Sequence, residues 1–588
     1  MTSANLDETL YFNGINGATG GYFFPPQTVA EVSEIAQKSI IAEKVNGKSS
    51  SDVTSDPHLC DLINRHRNDN EDKFDVIEGV DPNVLSDTGW GIIFPVKVNP
   101  AIREALSELI EHRKQEAGEY FKEYEFVPGE TANDFLSQRG AKVFDPADPS
   151  KVPYYLLIVG DFHEIPFDFQ YQLDVQYAVG RIYFKTPQEY AQYAHSVVQA
   201  EKTNLLLPCQ ANLFGVRTSG DKATELSADH LIQPLQEFLT SDQRFQKKNA
   251  HWKIDSHLEQ AATKAQLSQL LGGKETPAFL FTASHGMGFP SDDPRLFRHQ
   301  GALLCQDYPD PNFREPVRED NYFSADDIGE DARLWGLISF HFACFGAGTP
   351  QMDEFGHQKN DWRQIAPYSF MANLPQRLLS HPKGGALAFV SHVDRAWGYS
   401  FGGKNEQLTT FKSTLQRLVE GNRIGRAVEC FNERYAAVST ELTKELWYIK
   451  AGRKSNDDHL SSLWIVNNDA RGYAVIGDPA VKLMVGNNAS KLENRPEIEY
   501  IAFYPKSSHA QSEVSDELNK LDVPSDSTLS PENPLQNPTE KELSNLVNLL
   551  NQLSQRLERL KQKNLTEENL SDLKFSLKSF ERTVKDLE

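Results

Sequence analysis

Cysteine is scarce in this 588-residue chain: Cys60, Cys209, Cys305, Cys344 and Cys430, with no Cys-x-x-Cys pair. An odd number without paired spacing excludes a disulfide-stapled scaffold and points to reduced thiols. Long apolar runs are missing as well. LLIVG (156–160) and ALAFV (386–390) stop far short of the ~18 residues that a bilayer-spanning helix needs. Basic charge is in deficit, with 60 Lys+Arg against 83 Asp+Glu and a net charge of −23. That balance excludes the basic surface with which proteins displace counterions from nucleic acid. The opening MTSANLDETLYFNG has neither the basic nor the apolar region of a secretory signal, so a cytoplasmic location is expected.

What is present divides the chain. Runs of strand length recur at GWGIIFP (89–95), VPYYLLIVG (152–160), TPAFLFTASHG (276–286), LWGLISFHFACFG (334–346) and GGALAFVSHV (384–393). Apolar runs this rich in Val, Ile and Phe suit strands buried on both faces, hence an α/β fold with a mainly parallel sheet flanked by helices. Asn99-Pro100 reads as the N-cap and first residue of a helix covering AIREALSELIEHRKQ. Residues 1–145 are expected to be a separate α/β region, and the Gly-rich NGINGATGGY (13–22), lacking a following Lys-Ser/Thr, reads as a surface loop. Two α/β subdomains (146–270 and 271–500) follow. A polar linker (501–538) then leads to a helical hairpin or coiled coil (539–588), whose apolar residues keep 3-4 spacing from Leu543 to Leu560 and from Leu570 to Leu587. A narrow seam of that kind, 539–587, is expected to pair within the hairpin, with another copy or with a partner helix.

Two of the strand-like runs end in reactive residues: AFLFTA in Ser284-His285-Gly286, and LWGLISFHFA in Cys344-Phe345-Gly346. Neighbouring parallel strands share a carboxyl edge, so the imidazole of His285 and the thiol of Cys344 can meet there. An adjacent imidazole raises the thiolate fraction of a weakly acidic thiol. The N–H groups of Gly286 and Cys344 are then placed to form an oxyanion hole. The plain alternative for Cys344 is an inert core thiol.

These segments resemble the gingipain-type cysteine peptidases of the caspase-like clan. The resemblance covers about residues 150–490 and runs in the family's order. It begins with VPYYLLIVGDFHEIPF and YAVGRIYFKTPQEYAQYAHSVVQAE, and continues through ATKAQLSQLLGGKETPAFLFTASHG, FHFACFGAG and GGALAFVSHVDRAWGYSF to RGYAVIGDPAVKL. It implies a caspase-like fold and hydrolysis of protein or peptide substrates through an acyl-enzyme, with Cys344 as nucleophile, His285 as general acid/base, and neither metal nor cofactor. Trp397 matches a tryptophan that covers the substrate's P1 side chain. Asp229 falls close to the family's acidic residue at the base of that pocket, with Glu225 and Asp394 as competitors, which would favour basic P1 residues. As plain structure, Asp229 is a helix N-terminal acid and Trp397 a large core side chain. Two departures stand out: no strand-rich domain follows residue 490, and no acid to support the histidine is evident near Arg217-Thr218-Ser219.

Other readings compete. Gly398-Tyr399-Ser400-Phe401-Gly402 fits G-x-S-x-G, with Asp457, Asp458 and His459 following in triad order, but four residues separate it from the preceding strand. His341 and Cys344 form H-x-x-C, yet positions i and i+3 on a strand face opposite ways and cannot share a metal. A non-catalytic scaffold of the same fold is the remaining alternative, since fold does not establish function.

Overall fold

The computed structural model describes residues 7–45, 76–143, 145–308, 315–356, 363–401, 408–486 and 495–505. Two units divide the chain, residues 1–507 and 508–588. Residues 506–538 of the expected linker and the helical pair of 539–588 lie outside the described residues, as do residues 46–75.

The strands that matter here are β1 (Gly14–Asn16), β2 (Trp90–Pro95), β3 (Phe121–Phe126), β4 (Tyr155–Val159), β5 (Ala178–Ile182), β6 (Gln210–Gly215) and β7 (Lys253–Leu258). They continue as β8 (Phe279–Ala283), β9 (Gly286–Gly288), β10 (Leu303–Leu304), β11 (Tyr322–Phe323), β12 (Ile338–Phe342), β13 (Ala388–His392) and β14 (Tyr473–Gly477). Ten of them form one sheet in the order β3-β2-β4-β5-β14-β13-β12-β8-β6-β7. The fold is therefore α/β with a large, mostly parallel sheet, β14 running against its neighbour β13. Every residue of β4, β5, β8, β12, β13 and β14 is buried, which is why these strands read as unbroken apolar runs.

The expectation of a separate region at 1–145 gives way to continuity. β2 and β3 extend the same sheet, and β1 joins β9 in a four-stranded sheet with β10 and β11. The Gly-rich stretch 13–22 is accordingly no surface loop: Asn13 is completely buried and Gly14–Asn16 pair with Gly286–Gly288. Asn99 does cap its helix, accepting from the Ala101 N–H, although the helix breaks at Leu106 into Pro100–Ala105 and Ser107–Ala117.

Candidate functional site

Four parallel neighbours, β6, β8, β12 and β13, bring their carboxyl ends together. Ala283 is in register with Phe342, so the residues that follow, Ser284-His285 and Ala343-Cys344, leave the sheet side by side. Phe281 and Phe340 stack across the pair at 5.0 Å, and Ser284 N–H donates to the Phe342 carbonyl at 3.2 Å. This packing fixes the register in which the two strand ends lie.

The N–H groups of Gly286 (2.9 Å) and Cys344 (3.1 Å) converge on a single acceptor, the carbonyl oxygen of Asn13. Gly286 has to be glycine here, because a Cβ would lie 1.8 Å from the Cys344 carbonyl oxygen. Cys344 Sγ accepts the Ala396 N–H at 3.1 Å. The thiol is wholly buried, and burial pushes its pKa well above the ordinary value despite that donor. A group held this way is a protonated thiol.

His285 is held by a residue the sequence reading missed. Its Nε2 lies 2.6 Å from Asp221 Oδ2, while Nδ1 is buried without a hydrogen-bond partner. Asp221 also accepts from Thr224 Oγ1 at 2.7 Å and from the Tyr22 hydroxyl. Burial alone would raise the Asp221 pKa, but the charge and hydrogen bond of His285, with those hydroxyls, hold it below the ordinary carboxylate value. In the neutral imidazole, an ionised Asp221 places the single proton on Nε2 and leaves the Nδ1 lone pair free. Asp221 stands two residues beyond the Arg217-Thr218-Ser219 stretch that appeared to offer no acid. The legible signal was its place just after an apolar run ending a strand.

The other expected residues are distributed differently. Trp397 is buried and packs edge-on at 5.5 Å against Phe12, the residue that precedes Asn13. Asp229 is exposed and forms a two-point ion pair with Arg217 at 2.9 and 3.1 Å. Glu225 accepts from Gly220 N–H and Lys222, and Asp394 pairs with Arg395, which also holds Asp353. The hydrogen bonds of the Asn13 side chain run instead to Ala223 O, Ser227 Oγ and Ser284 O.

Ser400 is fully buried on a short turn after Trp397. His459 pairs at the surface with Glu441, and Asp457 accepts from Ser33. His341 hydrogen-bonds to Thr282 within the sheet at 2.8 Å, away from any shared ligand position with Cys344. Among the described residues, His112, Glu116 and Glu201 present ligand atoms within 4.8 Å of one another. The guanidinium of Arg113 already binds both glutamates, so a resident cation fills that place. No helix among the described residues is long and apolar enough to cross a membrane.

No family model and no curated protein matches the chain. A solved structure described as "Structure of Protease" aligns with 68% of this chain and 79% of its own, at 12% identity and a TM-score of 0.39. That likeness is too distant to carry an argument.

Proposed function

We propose that the protein is a cysteine peptidase of caspase-like type, in which Cys344 attacks the substrate carbonyl and His285 carries the proton. The observation that supports this best is the convergence of the Gly286 and Cys344 N–H groups on one carbonyl oxygen. Two backbone donors aimed at one oxygen beside a thiol suit the charge that develops on an acyl-transfer intermediate. Asp221 acts behind His285 as a positioning residue, fixing the tautomer in which Nδ1 can accept a proton. Protein or peptide substrates follow from this chemistry, and the reaction needs no cofactor.

A non-catalytic protein of the same architecture is the second reading, favoured by the complete burial of Cys344. Thiol-dependent turnover separates the two. Wild type is expected to cleave a broad peptide library, and Cys344→Ala and His285→Ala each to lose several orders of magnitude, as members of one covalent unit do. Equal turnover by Cys344→Ala would end the peptidase reading.

A further inference from the structure

The segment around Asn13 crosses the site as a peptide substrate would. Its carbonyl takes both converging donors, and its own N–H donates to the Ala396 carbonyl at 2.9 Å. The chain continues as β1, in parallel register with Gly286–Gly288. Gly14 rests against the thiol, since a Cβ there would stand 3.1 Å from Cys344 Sγ.

The side chain of Asn13 is 0% exposed, and its Nδ2 faces three oxygens. These are Ser227 Oγ at 3.3 Å and the carbonyls of Ala223 and Ser284, each at 3.5 Å. Ser227 donates its own hydrogen to Thr224 O at 3.2 Å, so towards Asn13 its oxygen is an acceptor. Three acceptors suit an N–H donor and repel a carboxylate. The pocket is also short: a Cβ on Gly398 would lie 3.7 Å from Asn13 Oδ1 and 3.2 Å from Leu226 Cβ. A longer Arg or Lys side chain meets those residues.

We propose that the Asn13–Gly14 bond is this peptidase's own first substrate, and that the same pocket selects Asn at P1 in others. This rests on the cysteine-peptidase reading above and departs from the basic P1 preference that the sequence suggested. In the reaction, the Cys344 proton passes to His285 while sulfur bonds to the Asn13 carbonyl carbon, whose oxygen takes the negative charge between the two N–H groups. The bond to the Gly14 nitrogen then breaks as His285 returns the proton to it, leaving a thioester and a new amino terminus. Water next adds to the thioester, giving a proton to His285. The C–S bond breaks, and Asn13 departs as a carboxylic acid while the thiol is restored. The intact bond is held in a poor geometry for attack: Gly14 N–H donates back to Phe12 O at 2.9 Å, a tight turn about Asn13 that has to open first. Self-cleavage is therefore slow, and the segment blocks the site until it occurs.

The experiment follows full-length wild type, Cys344→Ala, Asn13→Asp and Ser227→Ala by intact mass and N-terminal sequencing over time. A peptide library varied at P1 is assayed alongside. Wild type is expected to acquire a new terminus at Gly14, and Cys344→Ala to stay whole. Asn13→Asp should be cut at least about tenfold more slowly, and library turnover at Asn should exceed that at Asp or Arg by at least about tenfold. Ser227→Ala should erode the preference for Asn over Asp and Arg at P1 in that library. An active enzyme that favours Arg, Lys or Asp, or that leaves Asn13–Gly14 whole, overturns this proposal and spares the peptidase reading. Absence of thiol-dependent cleavage anywhere ends both.

Discussion

Two buried polar clusters sit in the first unit, and they differ in how completely their atoms are paired. In one, the fully buried Arg113 donates from Nε to Asp478 at 2.7 Å and from both terminal nitrogens to Glu201 at 2.7 and 2.8 Å. Asp478 in turn accepts from the Trp90 indole at 2.9 Å and the Ala480 N–H at 3.0 Å. In the other, around Cys344, His285 Nδ1, Asn13 Oδ1 and Trp397 Nε1 are buried without partners. Buried polar atoms are ordinarily satisfied. A cluster that is complete holds a fold together, whereas one left incomplete keeps lone pairs and donors in reserve for chemistry.

Breaking the complete cluster should have the largest effect. Arg113→Leu strands the carboxylates of Asp478 and Glu201, and loss of one partner of a buried ion pair costs about 3–5 kcal/mol. Urea unfolding should show that loss, while turnover per folded molecule stays near wild type. Gly286→Ala comes next and does the reverse. Its methyl would collide with the Cys344 backbone, with contacts at 1.8 Å to the carbonyl oxygen and 2.7 Å to its carbon. The paired donors must part, and turnover should fall about 10²–10³-fold, the effect of removing one such donor. A Gly286→Ala protein of undiminished activity would detach these N–H groups from the mechanism. Asp221→Asn is milder, because an amide keeps the shape but no longer fixes the proton on Nε2. Turnover should drop about a hundredfold, and the pH–rate profile should shift with it.

The same contrast explains what was legible in the sequence. His285 and Cys344 stood out because each ends an apolar run, and the burial that makes β8 and β12 apolar also fixes their register. Gly286 was legible for the same reason. Asn13 was not: its partners Gly286, Ser227 and Cys344 are more than two hundred residues away, and a Gly-rich stretch carries no periodicity to announce such pairing. Asp229 lies two residues from Ser227 on one helical stretch, yet Ser227 meets Asn13 while Asp229 meets Arg217, because side-chain direction turns about a helix axis from residue to residue. The reading of residues 1–145 as separate failed because strand pairing between distant segments leaves no local trace, as β2 with β4 shows.

The effect that vanishes at neutral pH concerns His341 on β12, three residues before Cys344. It is fully buried, bonded through Nδ1 to Thr282 and stacked on Phe389 at 4.3 Å, with Nε2 unpartnered. Burial lowers its pKa to about 3, against about 6.5 in the unfolded chain. Above the unfolded value the imidazole is neutral in both states and exerts no pH dependence. Between the two values only the unfolded chain takes up the proton, so stability falls as pH falls, by up to about 1.4 kcal/mol per pH unit. Below the folded value both states are charged and the loss stops growing. His341→Gln keeps an acceptor for Thr282 and removes the titration. The unfolding free energy of wild type minus that of His341→Gln, measured from pH 7 downward, should therefore decline with acidity. A difference that stays flat from pH 7 to 4 would mean that His341 is charged or solvated in the fold, and that this strand is less sealed than its neighbours.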